Sequence, residues 1–207
     1  SNLLKKVKKK ISKNVRIVVM WPNKNNFANF DIDNENIIKK KYYLYKSFST
    51  PTLLKKTKNY SIDELIRLKN FVKNENSLFF KNFQDFRNKY LSYQKYEYLI
   101  NEFKVKKIKS FFIIKFNKKK QDLNYVILEH FGSQKIKSNH LSKLIRDQNG
   151  LIFLSNKKIN KPRFELLDFL NFKIGFIKKF TVKQKKIINK KEIFLGDTDI
   201  FFTTENK

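Results

Sequence analysis

Positive charge is spread along this chain with nothing acidic to balance it. Lys and Arg number 47 against 18 Asp and Glu, a formal net charge of +29 over 207 residues. A chain of that kind repels itself until a polyanion neutralises it. The expected partner is nucleic acid, with an anionic membrane surface second. Five of the cations are Arg (Arg16, Arg67, Arg87, Arg146, Arg163) and the rest are Lys. Lys is a flexible point charge suited to phosphate, whereas Arg supplies the planar fork used for bidentate reading of bases. The Lys runs lie at residues 5–10, 39–41, 55–58, 118–120, 157–161 and 178–191. Their spread suits a protein embedded in folded RNA better than one docked in a duplex groove.

The charge sits on a chain that can still build a core. It holds 22 Phe and 9 Tyr, which separates it from disordered basic tails. Lys, Asn, Ile, Phe and Tyr are inflated together while Ala28 is the sole alanine. These are the residues of A/T-rich codons, and the pattern reads as mutational bias of the kind found in organelles and some parasites. Cysteine is absent, so no disulfide, thiolate nucleophile or Cys zinc site is available. No apolar run approaches the ~20 residues of a membrane span. The N-terminus resembles neither a signal peptide nor an Arg-rich transit peptide. A chain starting at Ser after loss of Met, with this codon bias, is expected to be made inside its organelle.

Elements are expected to change character along the chain. Residues 1–58 read as a basic extension lying over something else, with a strand at 15–20 and loop around Pro51. Residues 60–72 read as a helix, with Ser61 and Glu64 as a capping box and Ile62, Leu65, Ile66, Leu68 and Val72 on its apolar face. Phe79, Phe83, Phe86 and Tyr90 recur at helical spacing and read as core, since a base-stacking platform would need them exposed. The helical reading continues through residues 96–103. Residues 110–117 and 124–131 then read as a hairpin whose tip carries Lys118, Lys119 and Lys120. Beyond Gly132, short strands and turns are expected, with strands at 151–154, 173–181 and 198–203. The fold class is thus α+β with two small domains. One is a helix-rich α/β domain over 59–132 with a β-hairpin, and the other a mostly β domain over 133–207.

No catalytic constellation stands out. His130 and His140 are ten apart, His130 in an expected strand, and read as structural histidines. Asp31, Asp33 and Glu35 lack the Gly and distal Glu of a calcium loop. Asp197 and Asp199 could be a nuclease metal pair, but nothing else converges on them. No glycine-rich phosphate loop is present. No cofactor, no metal and no enzymatic activity are expected.

The segment Ser61-Ile62-Asp63-Glu64-Leu65-Ile66-Arg67-Leu68-Lys69-Asn70-Phe71 resembles the opening helix of the universal ribosomal S-eight family of the small subunit. Asp63, Leu65, Arg67, Lys69 and Asn70 fall in register with it. Ser92, the run Lys107 to Phe111 and residues 124–131 follow the family's order. Ser142-Lys143 resembles the start of its Ser-Lys-Pro-Gly turn, with Leu144 and Ile145 in place of Pro and Gly. Leu151-Ile152-Phe153 resembles its Arg-Val-Tyr. Thr181 and Lys183 are what remains of its Ser-Thr-Ser-Lys-Gly loop, and Lys191-Glu192, Gly196 and Asp199-Ile200-Phe201 resemble its close.

The resemblance spans about residues 60–203. It implies a mitochondrial small-subunit ribosomal protein that holds the central part of the ribosomal RNA by Lys–phosphate contacts. It implies RNA contacts at Arg67, Lys69, Asn70, Ser142, Lys143, Thr181 and Lys183. Lys118, Lys119, Lys120, Lys185 and Lys186 add charge. Neighbouring ribosomal proteins would be further partners, with no membrane and no small-molecule substrate. Other readings are another organellar ribosomal protein, an intron maturase or endonuclease, and a membrane-surface accessory protein.

Overall fold

The computed structural model describes residues 17–20, 37–48, 84, 88, 90, 97–116, 125–176 and 181–197. These residues are α+β. Seven strands form one mixed sheet: β1 (Ile17–Met20), β2 (Ile37–Ser47), β3 (Glu97–Val105), β4 (Ile108–Phe116), β5 (Tyr125–Gly132), β6 (Leu151–Ser155) and β7 (Phe164–Phe176). Their order is β1-β7-β2-β6-β5-β4-β3. Two helices accompany them, α1 (Lys137–Asp147) and α2 (Val182–Lys190). Among the described residues no helix is long and apolar enough to cross a membrane.

The chain forms two compact units, Ser1–Tyr43 with Asp168–Lys190, and Leu44–Leu167 with Lys191–Lys207. The second holds the meander β3–β4–β5, α1 and β6. Its strands are rich in Phe, Ile and Val, which suit a pleated surface packed on both faces. Phe111, Phe112, Ile113 and Ile114 are consecutive and all buried, so both faces of β4 are covered. Helix α1 turns His140, Leu144 and Ile145 inward. Ser133 starts the turn before it, its hydroxyl accepting from the Lys135 N–H. β5 is linked to β6 through α1, and the two strands are parallel, as a helical crossover allows.

In the first unit β1 pairs antiparallel with the end of β7, from Ile17 opposite Phe176 to Met20 opposite Lys173. Tyr42 packs edge-on against Phe172 at 5.5 Å. Lys40 Nζ donates to the Asn189 carbonyl at 3.0 Å, which ties α2 to the face of β2 carrying Lys40. A capping box starts α2: Thr181 N–H donates to Gln184 Oε1 at 2.9 Å, and Gln184 N–H donates to Thr181 Oγ1 at 3.3 Å.

Several expectations meet the structure directly. The strand around 15–20, the strand after Gly150 and the antiparallel pair formed by residues 110–116 and 125–131 are present. Residues 97–105 are strand β3, not a continuing helix. Their register against β4 gives alternate residues of this edge strand a pair of cross-strand backbone bonds, and tertiary pairing overrides the helical spacing. Residues 137–147 are helix where strands and turns were expected, because Leu144 and Ile145 supply a face that β-sheet packing can bury. The expected strand at 173–181 is the end of β7, which closes at Phe176. Residues 37–47, placed in an overlying extension, form a strand between β7 and β6. The expected helix at 60–72, the basic hairpin tip and the strand at 198–203 lie outside the described residues.

The β3–β4 turn carries Lys106 at φ 55°, a left-handed conformation that costs a side chain bearing a Cβ about 1 kcal/mol. Lys106→Gly is expected to raise stability by up to about 1 kcal/mol, read as a higher urea midpoint at unchanged slope.

Candidate active site

The site grows from an anomaly in β5. Its run Tyr-Val-Ile-Leu-Glu-His-Phe places a carboxylate and an imidazole inside an apolar strand, and both are buried. Charged groups hold such positions when paired. Register against β4 sets their faces. Ile113 pairs Glu129 and Ile114 pairs Ile127, so Leu128 is an extra residue that bulges β5. Bulges of this kind re-aim side chains and cluster beside functional sites.

One face carries a hydrogen-bonded chain. Asn101 on β3, Ser110 on β4, His130 on β5 and His140 on α1 meet there. His140 Nε2–H donates to Asn101 Oδ1 at 2.6 Å. A neutral His140 then accepts at Nδ1 from the Ser110 hydroxyl at 3.0 Å. Ser110 Oγ accepts from His130 Nε2–H at 2.7 Å, and His130 Nδ1 accepts from Gln134 Nε2–H at 3.3 Å. Every donor in the chain points the same way. Phe112 packs on both imidazoles at 4.9 and 4.5 Å, and Phe103 stacks on His140 at 5.3 Å. Burial lowers the His130 pKa to about 3, helped by Lys137 and by His140. Burial and then Lys143 lower that of His140 to about 4. Both rings are therefore neutral at physiological pH.

Glu129 lies on the opposite side of the strand from His130. Its Oε1 accepts a short hydrogen bond from the Tyr90 hydroxyl. Gly196, in the turn Leu195–Asp197, is pressed against both: a Cβ there would lie 2.7 Å from Glu129 Oε1 and 2.7 Å from Tyr90 OH. Lys137 at the start of α1 pairs with Glu192, and its ammonium lies 5.0 Å from the Phe194 ring. The chain after Lys191 is thereby held against this part of the unit, with Ile193, Phe194 and Leu195 buried.

The parallel pair beside the bulge is short. β5 and β6 share two residue pairs, Tyr125 with Leu151 and Val126 with Ile152, and then part. Beyond them β5 runs on to Gly132 and β6 to Ser155.

The residues expected to touch RNA do not form one surface. Arg67, Lys69, Asn70, Lys118, Lys119 and Lys120 lie outside the described residues. Ser142 and Lys143 are exposed on α1, in the unit that holds β5. The Lys143 ammonium lies 5.3 Å from the Phe103 ring. Thr181, Lys183, Lys185 and Lys186 belong to the other unit. Thr181 spends its hydroxyl on capping α2, and the lysines lie on that helix rather than on a loop, Lys185 half-buried. His130 and His140, ten residues apart, are brought onto one hydroxyl. Of the two aspartates weighed and set aside as a nuclease pair, Asp197 closes the turn after Leu195, and Asp199 lies outside the described residues. Among the described residues no cluster of three or more His, Asp or Glu could hold a metal. Tyr90, read from its spacing as core and indeed buried, was not picked out as a site residue, nor were Asn101, Ser110 and Glu129. The one available signal was Glu129-His130 inside an apolar strand.

No family model matches the chain, and no curated protein does. Among solved structures it is similar to a GCN5-related N-acetyltransferase from Anabaena variabilis ATCC 29413, at TM-score 0.51 and 9% identity. The match covers 86% of this chain and 50% of that one, so the chain spans half the length of the structure it resembles. At that identity the likeness concerns fold. It overturns the resemblance to the ribosomal S-eight family, and with it the reading as a mitochondrial ribosomal constituent. The short matched motifs were compatible with another architecture, because helix and strand periodicities recur in unrelated folds. The maturase or endonuclease alternative gains no support either. The expectation of a non-enzyme is likewise corrected, since the fold is that of a protein described as an acetyltransferase.

Proposed function

We propose that the chain is an N-acyltransferase that works where β5 and β6 part. The observation that carries this reading is the β5–α1–β6 unit, whose parallel strands separate after two residue pairs, within a fold shared with an N-acetyltransferase. In open sheets, parallel strands that separate leave a crevice at their carboxyl ends in which ligands bind. Acyl transfer to an amine needs an activated donor such as a thioester. The amine nitrogen attacks the carbonyl carbon, the thiolate leaves, and the nitrogen loses a proton.

Of the buried groups, the two imidazoles have both ring nitrogens engaged in the chain through Ser110. We assign the proton-accepting role to Glu129, a carboxylate buried in the strand that borders the parting, and the role of acid toward the leaving thiolate to the Tyr90 hydroxyl that donates to it. The formal charge of +29 favours an anionic donor or acceptor.

The test is thiol release from an acetyl thioester whose thiol portion carries phosphate, in the presence of a panel of amines that runs from amino acids and acidic peptides to polyamines. Glu129→Gln keeps an oxygen for the Tyr90 hydroxyl and removes the basicity. It is expected to lower kcat by about 10²- to 10³-fold with an unchanged melting temperature. Wild-type turnover no faster than the uncatalysed reaction across the panel, or an E129Q variant as active as wild type, would overturn the proposal.

A further inference from the structure

The outward face of the sheet in the unit Ser1–Tyr43 with Asp168–Lys190 places aromatic rings and ammonium groups together. Alternation along β2 puts Lys39, Lys41 and Tyr43 on one face, and alternation along β7 gives Phe169, Asn171 and Lys173 theirs. Tyr43 meets Phe169 edge-on at 5.7 Å, which makes these one face. The Lys41 ammonium lies 5.3 Å from the Tyr43 ring and 5.2 Å from the Phe169 ring. Phe169 is 49% exposed, a large ring left in water. Its backbone N–H is held by Asp168 Oδ1 at 2.6 Å. The opposite face of β2 carries Lys40 and Tyr42, with α2 tied to it through Lys40, so the aromatic face is the one without that helix.

We propose that this face binds single-stranded nucleic acid, with a base stacked on Phe169 and phosphates met by Lys39, Lys41 and Lys173. The ring supplies what a base needs, and the lysines supply what the backbone needs. The charge of the whole chain points the same way, since +29 demands a polyanion. An acidic peptide would satisfy the charges. It would not require a flat exposed ring with an ammonium beside it, which is the combination that suits a base. The inference is independent of the acyltransferase reading, because it concerns other residues and a binding readout.

The probe is a labelled 20-nucleotide oligo-dT, with binding followed by fluorescence anisotropy across a salt series. Phe169→Ala is expected to weaken binding about tenfold, Phe169→Leu nearly as much, and Phe169→Tyr to retain it. Lys41→Gln is expected to reduce the slope of log affinity against log salt by about 0.7. The exposure of Phe169 means that these variants should melt at the wild-type temperature. Polyglutamate of equal charge, or vesicles containing anionic lipid, should displace the oligonucleotide poorly. The proposal is overturned if oligo-dT does not bind, if F169A and F169L bind it as wild type does, or if polyglutamate or vesicles compete as well as unlabelled oligo-dT.

Discussion

At pH 5 the protein is expected to be about 4 kcal/mol less stable than at pH 7.5, through two histidines alone. In the unfolded chain His130 and His140 titrate near 6.5, whereas in the folded state they titrate at about 3 and about 4. Between those values the unfolded state binds more protons than the folded state. Stability therefore falls as pH falls from 6.5 towards 4, by about 1.4 kcal/mol per pH unit for each ring. The cause is structural. Each ring already has both nitrogens committed to the chain Gln134–His130–Ser110–His140–Asn101, and a second ring proton would face a donor. Lys137 and Lys143 add positive potential. Urea unfolding at pH 7.5, 6 and 5 measures the slope above the range in which carboxylates dominate. His130→Gln keeps a donor for Ser110 and is expected to halve that slope, whatever it does to stability at neutral pH. A stability that is flat from pH 7.5 to 5 would mean that the rings are not buried in this network.

Gly132→Ala is expected to cost about 3 kcal/mol or more, among the largest effects of any single methyl group in this chain. Gly132 ends β5 at φ 87°, in the left-handed region. A Cβ there would lie 2.5 Å from the Lys109 carbonyl oxygen, a backbone atom that cannot swing away. The same carbonyl accepts from Ser133 N–H at 2.9 Å. Relief would therefore loosen the turn into α1 and the pairing of Ser110 with Gly132. Ser110 carries the hydroxyl between the two histidines, so its displacement should also blunt the pH slope. Equilibrium unfolding at neutral pH tests the cost. A loss under 1 kcal/mol would mean that the strand end adjusts freely.

How far the fold was legible depended on where its signals lay. β4 and β5 were readable because their apolar and β-branched runs exceed what a turn can hold, and Gly132 marked the end of β5. β3 was not. Its Glu-Tyr-Leu-Ile-Asn-Glu-Phe spacing is compatible with a helix, and only pairing with β4 decides it. Helix α1 was obscured because its buried positions, His140, Leu144 and Ile145, give a narrow apolar stripe in a polar, basic segment. The ribosomal resemblance failed for a related reason, since short basic and apolar motifs are shared by many folds. The candidate site was nearly invisible. Tyr90 and Glu129 are 39 residues apart, and Asn101, Ser110, His130 and His140 come from four different elements.

By itself the sequence determined the electrostatic character of this protein and the need for an aromatic core. Charge and apolar content are sums over residues and require no geometry. It also determined the strands whose burial on both faces demands continuous apolar runs. The tertiary structure alone decided that β5 and β6 run parallel and part, and that one hydroxyl joins two histidines. It alone set Glu129 beside Tyr90 and left Phe169 in water beside Lys41. Such relations depend on register and crossover. A shift of one residue turns each side chain to the other face of its strand, and no local pattern in the chain fixes that choice.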